Sequence, residues 1–75
     1  MPELRKISGE KAIHALERLG FSKVRQKGSH VVLRKDTLEG PIGCVVPLHK
    51  ELKIGTLRGI LKQAKIEIEE FSKLL

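Results

Sequence analysis

Tryptophan and tyrosine are absent from these 75 residues, and the only aromatic rings beside histidine are Phe21 and Phe71, both in core-like settings. A surface that grips bases by stacking needs exposed rings, so the aromatic platforms of RRM and OB domains are excluded. Cysteine occurs once, as Cys44. That rules out an internal disulfide framework and fits a reducing compartment. Within the run Cys44-Val45-Val46 it reads as a buried strand thiol rather than a nucleophile. No apolar run approaches the ~20 residues of a membrane span. Met1-Pro2-Glu3-Leu4-Arg5-Lys6 is followed by no apolar h-region, so a soluble, cytoplasmic protein is expected, with no membrane partner. His14, His30 and His49 lack HxH or HxxxH spacing and have no Cys partner nearby, so no metal and no cofactor are expected. Acids are the minority charge: nine against fifteen Lys plus Arg, a formal net charge of +6. Such an excess points to a polyanionic partner, or else serves only solubility.

What remains is enough for one small domain spanning residues 1–75, with a thin core and about 60% of its unfolded surface buried. Ser8 is a helix N-cap with Glu10 placed for the dipole. Ala12, Ile13, Leu16 and Leu19 keep helical spacing, and Gly20 closes a helix over about residues 9–19. Phe21 to Gln26 reads as a first strand, anchored by Phe21 and Val24. Lys27-Gly28 reads as a tight turn, and Val31-Val32-Leu33 as the centre of a second strand. Lys35 to Gly43 is rich in turn formers and reads as a loop. A third strand, Cys44 to Val46, ends at Pro47. A second helix begins at Gly55-Thr56 with Leu57, Ile60, Leu61 and Ala64 on one stripe, and Gly59 inside it costs about 1 kcal/mol unless packing requires it. Ile68, Phe71 and Leu75 mark a short final helix. The expectation is an α+β fold in α-β-β-β-α order. Its three-stranded antiparallel sheet carries the helices on one face, and a short extra C-terminal helix follows.

Strand alternation then sorts the polar residues. With Val31 and Leu33 turned to the helices, His30 and Arg34 face the other way. A core-facing Val24 adds Lys23 and Arg25 to that open face, with Lys27 and Ser29 in the adjoining turn. The result is a basic surface around one imidazole. Cations there hold a phosphate backbone without reading sequence. An imidazole, whose unperturbed pKa is about 6.5, exchanges protons near neutrality. RNA brings its own nucleophile in the 2′-OH, so metal-independent strand scission fits these groups. An exposed histidine beside a basic turn fits them as well. His49, shortly after Pro47, is a second candidate, either as a leaving-group acid or as a loop residue capping the second helix.

At these residues the sequence resembles the HicA (YcfA-like) family of small toxins from bacterial and archaeal toxin–antitoxin pairs. The pieces are Gly28-Ser29-His30 entering a strand, Val46-Pro47-Leu48-His49 leaving one, and Gly55-Thr56-Leu57-Arg58 with Ile60-Leu61-Lys62-Gln63-Ala64 in the second helix. A leading helix ending Leu19-Gly20-Phe21 completes the set, and the likeness runs from about Leu4 to Phe71. It implies a double-stranded-RNA-binding-like fold, a type II toxin that cleaves mRNA without a metal, and neutralisation by a HicB-type antitoxin. It also maps the family's catalytic histidine onto His30. Two departures stand out. The Thr37–Gly43 loop is longer than the family's usual tight turn, and Lys65 occupies a position where glycine commonly closes the helix. A non-catalytic RNA-binding module of the same order is the alternative, although only Lys53 and Arg58 flank the start of the second helix. A basic protein that binds an acidic partner and no RNA is a third reading.

Overall fold

The computed structural model describes residues 4–75, in the order α1 (Gly9–Arg18), β1 (Ser22–Lys27), β2 (His30–Thr37), β3 (Gly40–Pro47), α2 (Ile54–Ala64) and α3 (Ile68–Ser72). The reading of Met1–Glu3 lies outside the described residues. The three strands form one antiparallel sheet in the order β1-β2-β3. This is the α+β, double-stranded-RNA-binding-like arrangement expected from the sequence.

Ser8 accepts the Lys11 N–H at 3.0 Å and starts α1 as an N-cap. Its apolar stripe goes inward: Ala12, Ile13, Ala15 and Leu16 are buried. The helix ends in a Schellman motif, with Phe21 N–H donating to the Leu16 carbonyl and Gly20 N–H to that of Glu17. Opposite α1, the sheet presents Val31, Leu33, Cys44 and Val46, all buried, and α2 adds Leu57, Ile60, Leu61 and Ala64. Each of the larger aliphatic side chains stabilises the fold by about 1.5–3 kcal/mol relative to exposure. Phe71 of α3 completes the same core with no exposed surface. Burial pushes the Cys44 thiol up to about 11. It therefore stays protonated at neutral pH, where a thiol is a poor nucleophile.

Two strand expectations need correction. Val24 does not face the core: it is 56% exposed, and all of β1 is exposed. The cause is a β-bulge between Lys23 and Arg25, which inserts Val24 as an unpaired residue and reverses the alternation behind it. The stretch from Lys35 to Gly43 is likewise not a loop. β2 and β3 continue through it to a turn at Leu38-Glu39, held by Thr37 Oγ1, which donates to the Gly40 carbonyl and accepts the Glu39 N–H. The connection is two residues, not the longer loop expected.

α2 repeats the helix-closing geometry of α1 with a less suitable residue. Ile66 N–H donates to the Leu61 carbonyl, and Lys65 sits in the left-handed region at φ 56°. A non-glycine residue pays about 1–2 kcal/mol there, part of which a glycine returns as greater freedom of the unfolded chain. Lys65→Gly is expected to raise stability by a net ~0.5–1 kcal/mol, read as a higher urea midpoint at unchanged slope. Gly59 is exposed, and a Cβ there meets nothing within 4 Å, so packing does not explain it.

Candidate functional site

The turn between β1 and β2 consists of Gly28-Ser29, one residue later than expected, and Lys27 pairs with His30 across it. Gly28 has φ +59° while Ser29 does not enter the positive-φ region. That is the type II′ pattern, which favours glycine at the first position because its twist matches the flanking strands. Gln26 Nε2 donates to the Gly28 carbonyl at 3.0 Å and braces the turn from the side. His30 is therefore the first residue of β2, fixed by a short ladder and still exposed.

Pairing assigns each side chain to a face. His30, Val32 and Arg34 share the open face of β2, opposite Lys27, Arg25 and Ser22 of β1 and Pro47, Val45 and Gly43 of β3. Arg25, Lys27, His30 and Arg34 thus share one face, with Lys27 directly opposite His30 and Arg34 four residues further along β2. Lys23 does not join them. It pairs with the core-facing Leu33, because the Val24 bulge shifts its register, and its side chain leaves the sheet on the helix side at the outer edge. Arg34 is already engaged, with Nε 3.0 Å from Asp36 Oδ1 two residues along the same face. Both groups are exposed, and an exposed pair contributes only about 0–1 kcal/mol, so a phosphate can compete for the guanidinium.

Ser29 is exposed in the turn, and its carbonyl accepts the Leu48 N–H at 2.6 Å. This bond ties Gly28-Ser29-His30 to Pro47-Leu48-His49, two motifs separated in sequence and adjacent in space. The second motif is fixed in turn by α1: Gly9 N–H donates to the His49 carbonyl at 2.9 Å. His49 thus caps the first helix with its backbone, not the second helix. His49 also lines a groove with Ser8, Glu10, Leu48 and Lys50.

Gly9 is a contributor that sequence reading passed over. It is buried, and a Cβ on it would fall inside contact distance of the Pro47 carbonyl oxygen and within 3.0 Å of Leu48 Cα. The one available signal was a glycine immediately after a serine N-cap, where most residues serve. Among the described residues, no three His, Cys, Asp or Glu side chains gather as a metal-binding group. None of the described helices is long and apolar enough to cross a membrane.

A family model described as the HicA toxin of bacterial toxin–antitoxin systems matches residues 9–66. The match begins at Gly9, covers all three strands and α2, and ends just after Lys65. No curated protein matches the chain.

Proposed function

The chain belongs to the HicA toxin family of toxin–antitoxin systems, and from that premise we propose that it is a type II toxin acting as a metal-independent mRNA endoribonuclease with His30 as its proton-transfer group. The observation that carries this reading is the placement of one exposed imidazole at the sheet end, directly opposite Lys27, on the face that also carries Arg25 and Arg34. In this reading residues 1–75 act as one domain in the cytoplasm, with an antitoxin of the HicB type as protein partner.

The chemistry uses the RNA's own 2′-OH. Its proton passes to a base as the oxygen attacks the adjacent phosphorus, and the 5′-oxygen leaves with a proton from an acid. The products are a 2′,3′-cyclic phosphate and a 5′-hydroxyl. His30 serves as base or acid in that exchange, and solvent water takes the other proton role. Arg25, Lys27 and the free nitrogens of Arg34 hold the phosphates and stabilise the charge that grows on the phosphoryl oxygens. Ser29 and Gly28 set the position of His30, and Ser29 Oγ is free to meet a phosphate. His49 acts through its backbone.

Incubating the purified chain with a defined mRNA, with and without EDTA, tests this directly. Cleavage in EDTA with cyclic-phosphate ends is the expected result. Cleavage abolished by EDTA and restored by a divalent cation removes metal independence. RNA bound without cleavage makes the non-catalytic module the better reading.

A further inference from the structure

The two outer edges of the sheet differ in what they offer a partner. In β3, Val45 N–H donates outward to Gln63 Oε1 of α2 at 3.3 Å. In an antiparallel pair the backbone direction alternates, so the nitrogens of Pro41, Gly43 and Pro47 point outward as well. The Leu48 N–H bond to the Ser29 carbonyl, one residue beyond, is what this alternation requires. Two of those outward positions are prolines with no N–H, and the Val45 amide is taken by Gln63. Gly43 alone keeps an open outward N–H on β3, too little for another strand to pair along it.

β1 is open. The same alternation makes Val31 and Leu33 bond to β3, so their neighbours in β1, Gln26 and Lys23, turn their N–H and C=O groups away from the sheet. Every residue of β1 is exposed. The strand carries Lys23, Arg25 and Lys27 and no acid. Pairing with a second copy would set like charges side by side, which disfavours self-association. An acidic strand meets the opposite situation.

We propose that the outer edge of β1 accepts an extended, acidic segment of the cognate antitoxin as a fourth strand. The segment forms backbone hydrogen bonds at Lys23 and Gln26, with the Lys23 ammonium as an ion-pair partner. This mode takes affinity from the main chain and selectivity from the flanking charges. It gives Lys23 a role that the open face does not. It also places the antitoxin beside Arg25 and Lys27, where it competes with RNA phosphates. The inference rests on the toxin reading above and deepens it.

The test uses the full chain and its co-expressed antitoxin. In the complex, amide exchange at Lys23 and Gln26 is expected to slow at least tenfold relative to the free chain. Gln26→Pro deletes an outward N–H without touching the ladder to β2, and should weaken the complex by about tenfold, the scale of one hydrogen bond. Gln26→Ala, which loses only the side-chain bond to the Gly28 carbonyl, should change it less than about threefold. Lys23→Glu should weaken the complex by at least about tenfold, since it opposes like charges. RNA cleavage by free Lys23→Glu at saturating RNA should stay near that of the unmodified chain, and cleavage by free Gln26→Pro should match that of Gln26→Ala, which loses the same side-chain bond to the turn. A complex that forms and blocks cleavage with no slowing at Lys23 and Gln26 overturns the β1 site and leaves the toxin reading intact. Slowed exchange in a complex whose free chain cleaves no RNA upholds the β1 site and overturns the ribonuclease. No complex at all overturns both. The exchange measurement on the unmodified chain stands even if a variant fails to fold.

Discussion

Replacing His30 with alanine is expected to lower RNA cleavage by about 10²–10⁴-fold, the usual scale for a positioned acid or base, while RNA affinity at neutral pH changes little. The separation follows from the division of labour on the open face. His30 is exposed at the end of the sheet, and the permanent charges are those of Arg25, Lys27 and Arg34. Removing Arg25 or Lys27 should do the converse. Without its ion pair to a phosphate, each variant binds RNA more weakly, with a salt slope lower by about one counterion. Arg34 should show the smallest effect of the three, because Asp36 already holds its Nε. Cleavage rate at saturating RNA and the dissociation constant, measured for each variant over a salt series, separate these effects. Full cleavage by His30→Ala ends the catalytic assignment. A loss of binding with an unchanged saturating rate makes His30 a contact residue.

The placement of His30 was legible in the sequence because every signal for it is local. A glycine able to take φ +59° precedes a run of β-branched residues, and alternation of Val31 and Leu33 fixes the face. The first helix was legible for the same reason, with Ser8, the apolar spacing and Gly20 agreeing on its limits. Val24 defeated the face assignment of β1. A bulge carries no clear local signature, and one extra residue moves Lys23 to the other side of the sheet. Composition misled at Gly40-Pro41-Ile42-Gly43 as well. Proline and glycine there mark an edge strand, in which the absent Pro41 N–H faces outward and costs no ladder bond. The link from Gly9 to the 47–49 segment joins residues far apart in the chain. Only the assembled fold brings them together.

That link carries the second large effect. Gly9→Ala is expected to destabilise the fold by about 2–3 kcal/mol. On an isolated helix the substitution would be favourable, since alanine is the better helix former by about 1 kcal/mol. Here the added methyl meets backbone on the opposing segment: the Pro47 carbonyl oxygen and, at 3.0 Å, Leu48 Cα. Backbone cannot rotate aside as a side chain does, so α1 must move away from residues 47–49. The movement stretches the Gly9 N–H bond to the His49 carbonyl and then the Leu48 N–H bond to Ser29, which together hold the turn before His30. The damage should therefore reach the site. Where the variant is still folded, at low temperature and without denaturant, cleavage at saturating RNA should fall more than RNA affinity does. Arg25 and Arg34 lie further along their strands, while the Gly28-Ser29-His30 turn is bonded to the displaced helix end through one intervening segment. Urea unfolding and saturating-rate measurements on Gly9→Ala give the two readings. A variant with unchanged stability would show that α1 does not bear on Pro47. One that loses stability but keeps its full saturating rate would show that the turn holds His30 in place without the Leu48 bond.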